Sequence, residues 1–239
     1  MLLRATQGFK AVRSCVAIAR LLAQLFSMFL PWPIRRTILA RVANCHVGKG
    51  AWIGYSLVLA EETCMGDGSR IGHLNVIKGV SRLALGEGSI IGNWNWVSGY
   101  PKMKTGPFSS ESERRPELIL GRHAALTNSH RVDCTNSVTI GEFTTVAGWG
   151  TQILTHSIDI TTSRQVSAPV AIGRYCFIGT RSILLKGSSL PDYSVLGAGA
   201  VLTTRFDESY VLYAGSPAKR VRVINENSEY FCRSVGVVN

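Results

Sequence analysis

The chain has 239 residues, 46% of them hydrophobic and 17% charged, with 24 glycines and 8 prolines. That length and apolar share support a sizeable buried core and exclude a disordered polymer, while the glycine content suits many short strands joined by tight turns. The net charge of +11 is segregated rather than spread: no Asp or Glu precedes Glu61, while Arg4, Lys10, Arg13, Arg20, Arg35, Arg36, Arg41 and Lys49 all fall in the first fifty residues, so the excess does not describe a basic folded surface for nucleic acid.

Residues 1–46 read as basic, amphipathic helices. The uncharged run from Leu21 to Ile34 is 14 residues long, short of the roughly 20 that span a bilayer, and Pro31 and Pro33 interrupt it. Helices of this type are expected to lie on an anionic leaflet, giving peripheral membrane association through residues 1–44. Packing of the same helices on the rest of the protein, or on a neighbouring subunit, is the other reading. No small-x-small cleavage site follows, which argues against a secretory signal. Cys15, Cys45, Cys64, Cys134, Cys176 and Cys232 form no CxxC pair, so they read as reduced thiols and not as a disulfide framework or zinc site.

From Val47 a period of six takes over. Aliphatic residues recur at Val47, Ile53, Leu59, Met65, Ile71, Ile77 and Leu83, then, after a slip of two, at Leu85, Ile91 and Val97. The series returns at Leu120, Leu126 and Val132, at Ile140 and Val146, and most cleanly from Ile172 through Ile178, Leu184, Leu190 and Leu196 to Leu202. Helices repeat near 3.6 and strands at 2, so neither alone gives six. A short strand plus a turn does, and three such units close a triangular coil. The aliphatic residue then points inward and a small residue four places later fills the corner, as in Val47 with Ala51 and Met65 with Ser69. About seven coils fit between 47 and 224, with a tail over 225–239.

Two long interruptions, 98–117 and 157–169, each follow the third unit of a coil. Both are therefore expected to leave the same edge of the prism, two coils apart. Long loops in a compact repeat carry function more often than packing. His156 stands at the last regular position before the second.

Three stretches carry a family resemblance: "THSID" at 155–159, "APVAIGRYCFIGTRSILLKGSSLPDYSVLGAGAV" at 168–201 and "YAGSPAKRVRVI" at 213–224. With them the chain resembles the hexapeptide-repeat acyltransferases, in particular the galactoside and maltose O-acetyltransferases and the acetyltransferases of exopolysaccharide synthesis. The resemblance implies an all-β fold, a left-handed parallel β-helix following an N-terminal helical segment. It also implies acetyl-CoA as co-substrate with no metal, a homotrimer with active sites between subunits, and a sugar or glycan acceptor. The compartment it implies is the cytoplasm, at the inner face of the membrane if the N-terminal helices bind lipid.

The resemblance makes His156 the general base. A sugar hydroxyl is a weak nucleophile, and an imidazole that removes its proton as it attacks contributes about 10²- to 10⁴-fold. The amide around Gly179–Thr180 becomes the donor to the thioester oxyanion. Thr180 and Ala198 match pantetheine contacts, Thr203 and Thr204 match a Thr-Lys pair near the nucleotide, and Lys219 and Arg222 match two phosphate-binding arginines. The family's lysine is Thr204 in this chain; Arg205 next to it is the candidate substitute. Asp133 matches, one residue out of phase, an aspartate that holds sugar hydroxyls, and it should lie with Asn136 beneath His156. His130 occupies a slot that normally takes a small residue, either as a buried hydrogen-bonded histidine or as a second active-site residue. Asp159 either orients His156 or shapes its turn. Trp94, Trp96 and Trp149 are too bulky for the interior and should face outward, and the "SERRPE" stretch reads as a solvated loop. Rival readings are an N-acetyltransferase of an amino sugar, a serine acetyltransferase-like enzyme, a γ-type carbonic anhydrase, whose histidine pair five residues apart is missing, and a non-catalytic membrane scaffold.

Overall fold

The structure, a computed structural model, describes residues 18–103 and 105–236. Arg4, Lys10, Arg13 and Cys15 of the basic N-terminal stretch lie outside the described residues. Strands of two to five residues stack into three parallel ladders, the faces of a triangular prism. Face one begins at Cys45–Val47, face two at Trp52–Ile53 and face three at Leu57–Leu59; each chain pass adds one strand to each face in turn, through Ser189–Leu190, Val195–Leu196 and Val201–Leu202. That makes seven complete coils. The eighth strand on face two, Val211–Ala214, is closed by an antiparallel partner, Lys219–Val223.

The period of six is the geometry of this prism. Ile71, Ile77, Leu83, Ile91, Val97, Leu126, Val146, Ile178, Leu184, Leu196 and Leu202 are completely buried along its axis. The corner slots four places after the face-one aliphatics hold Ala51, Ser69, Ser89, Ala124, Thr144, Cys176 and Ser194, all buried. One expectation fails: Val58, and not Leu59, points inward in the first coil, and it registers with Ile77. The corner before it, with Ser56 N–H bonded back to the Gly54 carbonyl at 2.6 Å, is one residue tighter than its successors. The fifth coil has the reverse irregularity, an extra residue between Val146 and the inward Ile153.

Each edge has its own side-chain ladder. At the edge between faces one and two, Gly50, Gly68 and Gly88 adopt positive φ in the first three coils, and His123, Phe143, Tyr175, Tyr193 and Tyr210 take the same left-handed conformation afterwards. His123 lies tilted against Phe143 with centroids 5.0 Å apart, and the rings from Phe143 to Tyr210 stack with centroids 4.7, 5.3 and 4.9 Å apart. A short C-terminal helix, Glu229–Cys232, lays Phe231 edge-on against Tyr193 and Tyr210. The edge between faces two and three carries a polar ladder in which Ser56, Asn75, Asn95 and His130 each accept a backbone N–H from the coil above. Trp94 and Trp149 lie exposed beside that ladder, and Trp96 faces outward at the start of face three.

Residues 18–27 are helical, and a second helix, Trp32–Val42, follows after a turn. Both cover the open lower end of the prism. A first coil has no strand below it, so its peptide groups would be orphaned. Gln24 supplies the missing strand's bonds at Val58, accepting its N–H at 2.7 Å and donating to its carbonyl. Arg35 donates to the carbonyls of Ile53, Gly54 and Ser56, and Arg36 to that of Val47. No helix among the described residues is long and apolar enough to cross a membrane.

Candidate active site

Both long insertions leave the edge between faces three and one, after the third and fifth coils. The second is an antiparallel hairpin of His156–Asp159 and Arg164–Ser167, in which His156 lies opposite Ser167. The first folds back to meet it: Glu111 accepts the Ser167 N–H at 2.8 Å with one carboxylate oxygen and the Ser167 hydroxyl with the other.

His156 is half-exposed and sits against a largely covered carboxylate. Its Nδ1 lies 2.7 Å from Asp133 Oδ2. A carboxylate accepts and does not donate, so Nδ1 carries the proton in this contact, and in the neutral imidazole Nε2 is then the nitrogen with the lone pair. Asp133 ends the face-three strand of the coil below and holds its place through four further bonds. Its Oδ1 accepts the Thr135 N–H and hydroxyl, and its Oδ2 accepts the Thr155 N–H and hydroxyl. Burial pushes the Asp133 carboxyl upward, but hydrogen bonds from Thr135, His156 and Thr155 outweigh it and hold the group below its ordinary range. Both of its oxygens are engaged by protein donors, and the Oδ2 contact orients the histidine.

Phe108 of the first insertion lies edge-on to the imidazole, centroids 5.9 Å apart at 85°. Arg114 fixes Phe108. Its guanidinium is buried, sits 5.1 Å from the Phe108 ring, and donates to the carbonyls of Tyr100, Pro101 and Thr135. Its Nε has no partner among the described residues. The "SERRPE" stretch at 112–117 is therefore not merely a solvated loop: Arg114 within it is tied to the corner under His156, and Glu111 just before it is tied to the hairpin. Nothing in local sequence marks Arg114, because its partners are backbone carbonyls distant along the chain.

Two other expected contacts do not reach the histidine. Asp159 bonds within its own turn, to the N–H and hydroxyl of Thr162 and the N–H of Thr161. The Thr162 hydroxyl and the Thr161 N–H hold its carboxyl below the usual value. His130 is buried in the second-edge ladder, its Nδ1 accepting the Thr151 N–H at 3.2 Å and its Nε2 3.0 Å from Thr127 Oγ1. Burial lowers its pKa to about 4, which keeps it neutral within the ladder. Asn136 does lie beneath the hairpin, but as a tie: its N–H donates to Thr155 Oγ1 and its amide to Ser167 Oγ.

The residues matched to CoA contacts fall elsewhere. Gly179 and Thr180 stand at the edge between faces two and three, with Ala198 directly above. A Cβ on Gly179 would come within 2.5 Å of the Ala198 nitrogen. The Gly179 N–H is spent on the Leu196 carbonyl at 2.8 Å, while neither the Thr180 nor the Ala198 N–H donates to a protein acceptor among the described residues. The Thr180 hydroxyl donates to the Trp149 carbonyl. Thr203 and Thr204 lie on the His156 edge two coils higher, where Arg205 Nε donates to the Gly187 carbonyl. Lys219 and Arg222 lie on the exposed closing strand over face two. Among the described residues no group of three His, Cys, Asp or Glu side chains is clustered to hold a metal ion.

No protein-family model matches the chain. It is 32% identical over 65 residues to the galactoside O-acetyltransferase of Escherichia coli K12, a match covering 27% of this chain and 32% of that enzyme. The chain thus aligns with about a third of that relative's length. Among solved structures it resembles mutants of AntD, an N-acyltransferase from Bacillus cereus. One, bound to dTDP and coenzyme A, has a TM-score of 0.53 at 13% identity, covering 80% of this chain and 90% of AntD. Another, bound to dTDP-4-amino-4,6-dideoxyglucose and coenzyme A, also has a TM-score of 0.53, at 12% identity over 80% and 89% of the two chains. The chain is a left-handed parallel β-helix of hexapeptide repeats, the fold on which these acyltransferases are built.

Proposed function

We propose that the protein is an acetyl-CoA-dependent O-acetyltransferase acting on a sugar or glycan hydroxyl, with His156 as general base. The observation that carries this reading is the Asp133–His156 contact of 2.7 Å, which leaves Nε2 as the free acceptor of a half-exposed imidazole between two long insertions. Nε2 takes the hydroxyl proton as the sugar oxygen bonds to the thioester carbonyl carbon. Asp133 stabilises the imidazolium that results. When the carbon–sulfur bond breaks, the same proton passes from Nε2 to the departing CoA sulfur, so the histidine returns to its starting state. The unspent Thr180 N–H is the oxyanion donor.

The site takes two copies of the chain. His156 and Thr180 stand on different edges of one prism, with a packed interior between them. A trimer of parallel prisms brings one copy's histidine edge against the next copy's Thr180–Ala198 edge. The need for acyl-CoA puts the reaction in the cytoplasm. The local match to a galactoside O-acetyltransferase favours oxygen over nitrogen as the acceptor atom.

The test is His156→Ala. The variant should remain folded and of wild-type oligomeric state while thiol release from acetyl-CoA in the presence of a sugar acceptor falls by about 10²- to 10⁴-fold. A purified variant with near-normal turnover would sink the mechanism, and paired hydroxyl and amine acceptors decide between O- and N-transfer.

A further inference from the structure

The two N-terminal helices are docked inside out. In a helix that covers a protein end, apolar residues face the protein and polar residues face water. Here the buried side chains are Gln24, Ser27 and Arg35 with a single apolar one, Leu39, because the end of a β-helix offers mainly unpaired peptide groups. Most of the large apolar positions are displaced to the outside: Leu22, Leu25, Phe26, Phe29, Leu30 and Ile34 are all exposed, Phe26 at 77% and Phe29 at 85%. Tyr55 of the first coil, 52% exposed and 6.4 Å from the Phe29 ring, extends the patch onto the prism. Exposed apolar surface of this extent marks an interaction site.

Charge selects the occupant. Arg36, Arg41 and Lys49 are exposed around the same end, and no acidic residue precedes Glu61 in the chain. A second protein copy would bring the same positive charge to the contact, whereas an anionic leaflet complements it and accepts the rings into its headgroup region. Gln24 and the carbonyls that Arg35 reaches are paired inside, so the outer face can enter lipid without unpairing them.

We infer that the face formed by Phe26, Phe29, Leu30 and Ile34 at the lower end of the prism docks on an anionic membrane surface. The surface lies on, and does not cross, the bilayer. His156 closes the fifth coil, and neighbouring strands are about 4.8 Å apart, so it stands roughly 20 Å from this end along the prism axis.

The experiment is flotation of the purified full-length chain with vesicles of phosphatidylcholine alone or mixed with phosphatidylglycerol. The wild type should float with the mixed vesicles, float less with phosphatidylcholine, and lose binding as salt rises. Phe26→Ser with Phe29→Ser leaves every capping bond in place and should weaken binding by about tenfold or more per ring. Its melting curve and oligomeric state should not change. Arg41→Gln with Lys49→Gln should lose only the preference for anionic lipid. Failure of the wild type to float overturns the inference, as does a double-serine variant that floats normally. A double-serine variant with a smaller oligomer assigns the face to a second copy instead. Acetyl transfer in detergent-free solution is read separately, so neither result bears on the role of His156.

Discussion

Exchanging Asp133 for Asn separates orientation of the base from its presence. Asp133 Oδ2 meets three donors: the Thr155 N–H at 2.9 Å, the Thr155 hydroxyl at 2.8 Å and His156 Nδ1 at 2.7 Å. An asparagine that keeps Oδ1 on Thr135 puts an NH₂ group there. The Thr155 hydroxyl has a second acceptor in the Asp133 carbonyl at 3.0 Å, so it is satisfied by rotation. The Thr155 N–H has none, and an orphaned buried donor costs about 1–3 kcal/mol. The imidazole adapts by exchanging tautomers: Nδ1 accepts from the amide and the proton moves to Nε2. Nε2 then points a proton at the acceptor and cannot remove one, so kcat should fall by about 10²- to 10⁴-fold with little change in KM for acetyl-CoA. Thiol release from acetyl-CoA, measured with the best acceptor from a panel of galactosides and amino sugars, gives both constants; a thermal melt gives the stability loss. An Asp133→Asn enzyme whose kcat stays within about threefold of wild type would refute the tautomer account, since loss of a working base costs far more.

The remaining predictions concern buried polar groups. His130 is neutral in the folded chain, with a pKa depressed from 6.5 to about 4, so the unfolded chain binds a proton there that the folded chain does not. Stability should therefore be complete above about pH 6.5 and decline toward pH 4, by an amount on the order of 3 kcal/mol. Melts of the wild type and His130→Gln across that range check this; equal pH slopes would exclude the histidine as the cause. Arg114→Lys should disorder the first insertion, because an ammonium cannot serve three carbonyls in a plane and pack against Phe108. A stability loss of about 2–4 kcal/mol and a lower kcat are expected, read by calorimetry and thiol release, with wild-type values in both overturning the role.

The axial residues were legible in the sequence because a prism has one inward position per face, and any slip would bury a polar neighbour. The slips themselves were harder. Val58 and Leu59 are equally apolar, and only the tight corner at Gly54–Ser56 decides between them. His156 and the shared edge of the two insertions could be read from phase. That Asp133 and not Asp159 meets His156 could not, because a side chain one coil below is 23 residues away while the turn aspartate is three away and merely adjacent. The N-terminal helices were legible as helices, but the face they bury was not, for a different reason. Hydrophobic patterning assumes that the covered surface is apolar, and the end of this β-helix presents peptide groups.

The stacked rings along the first edge give the prism a direction. A left-handed corner built on a side chain costs about 1–2 kcal/mol, and an aromatic pair returns about 0.5–1.5 kcal/mol, so a column of rings makes affordable what isolated ones would not. The column runs from His123 to Tyr210 and is absent from the first three coils, where Gly50, Gly68 and Gly88 turn the same corner. A repeat array is stabilised neighbour by neighbour. Fraying of this one should therefore begin at the glycine-cornered coils when their helical cover is lost and halt at His123, so the coils that align His156 stay assembled while the lower end yields.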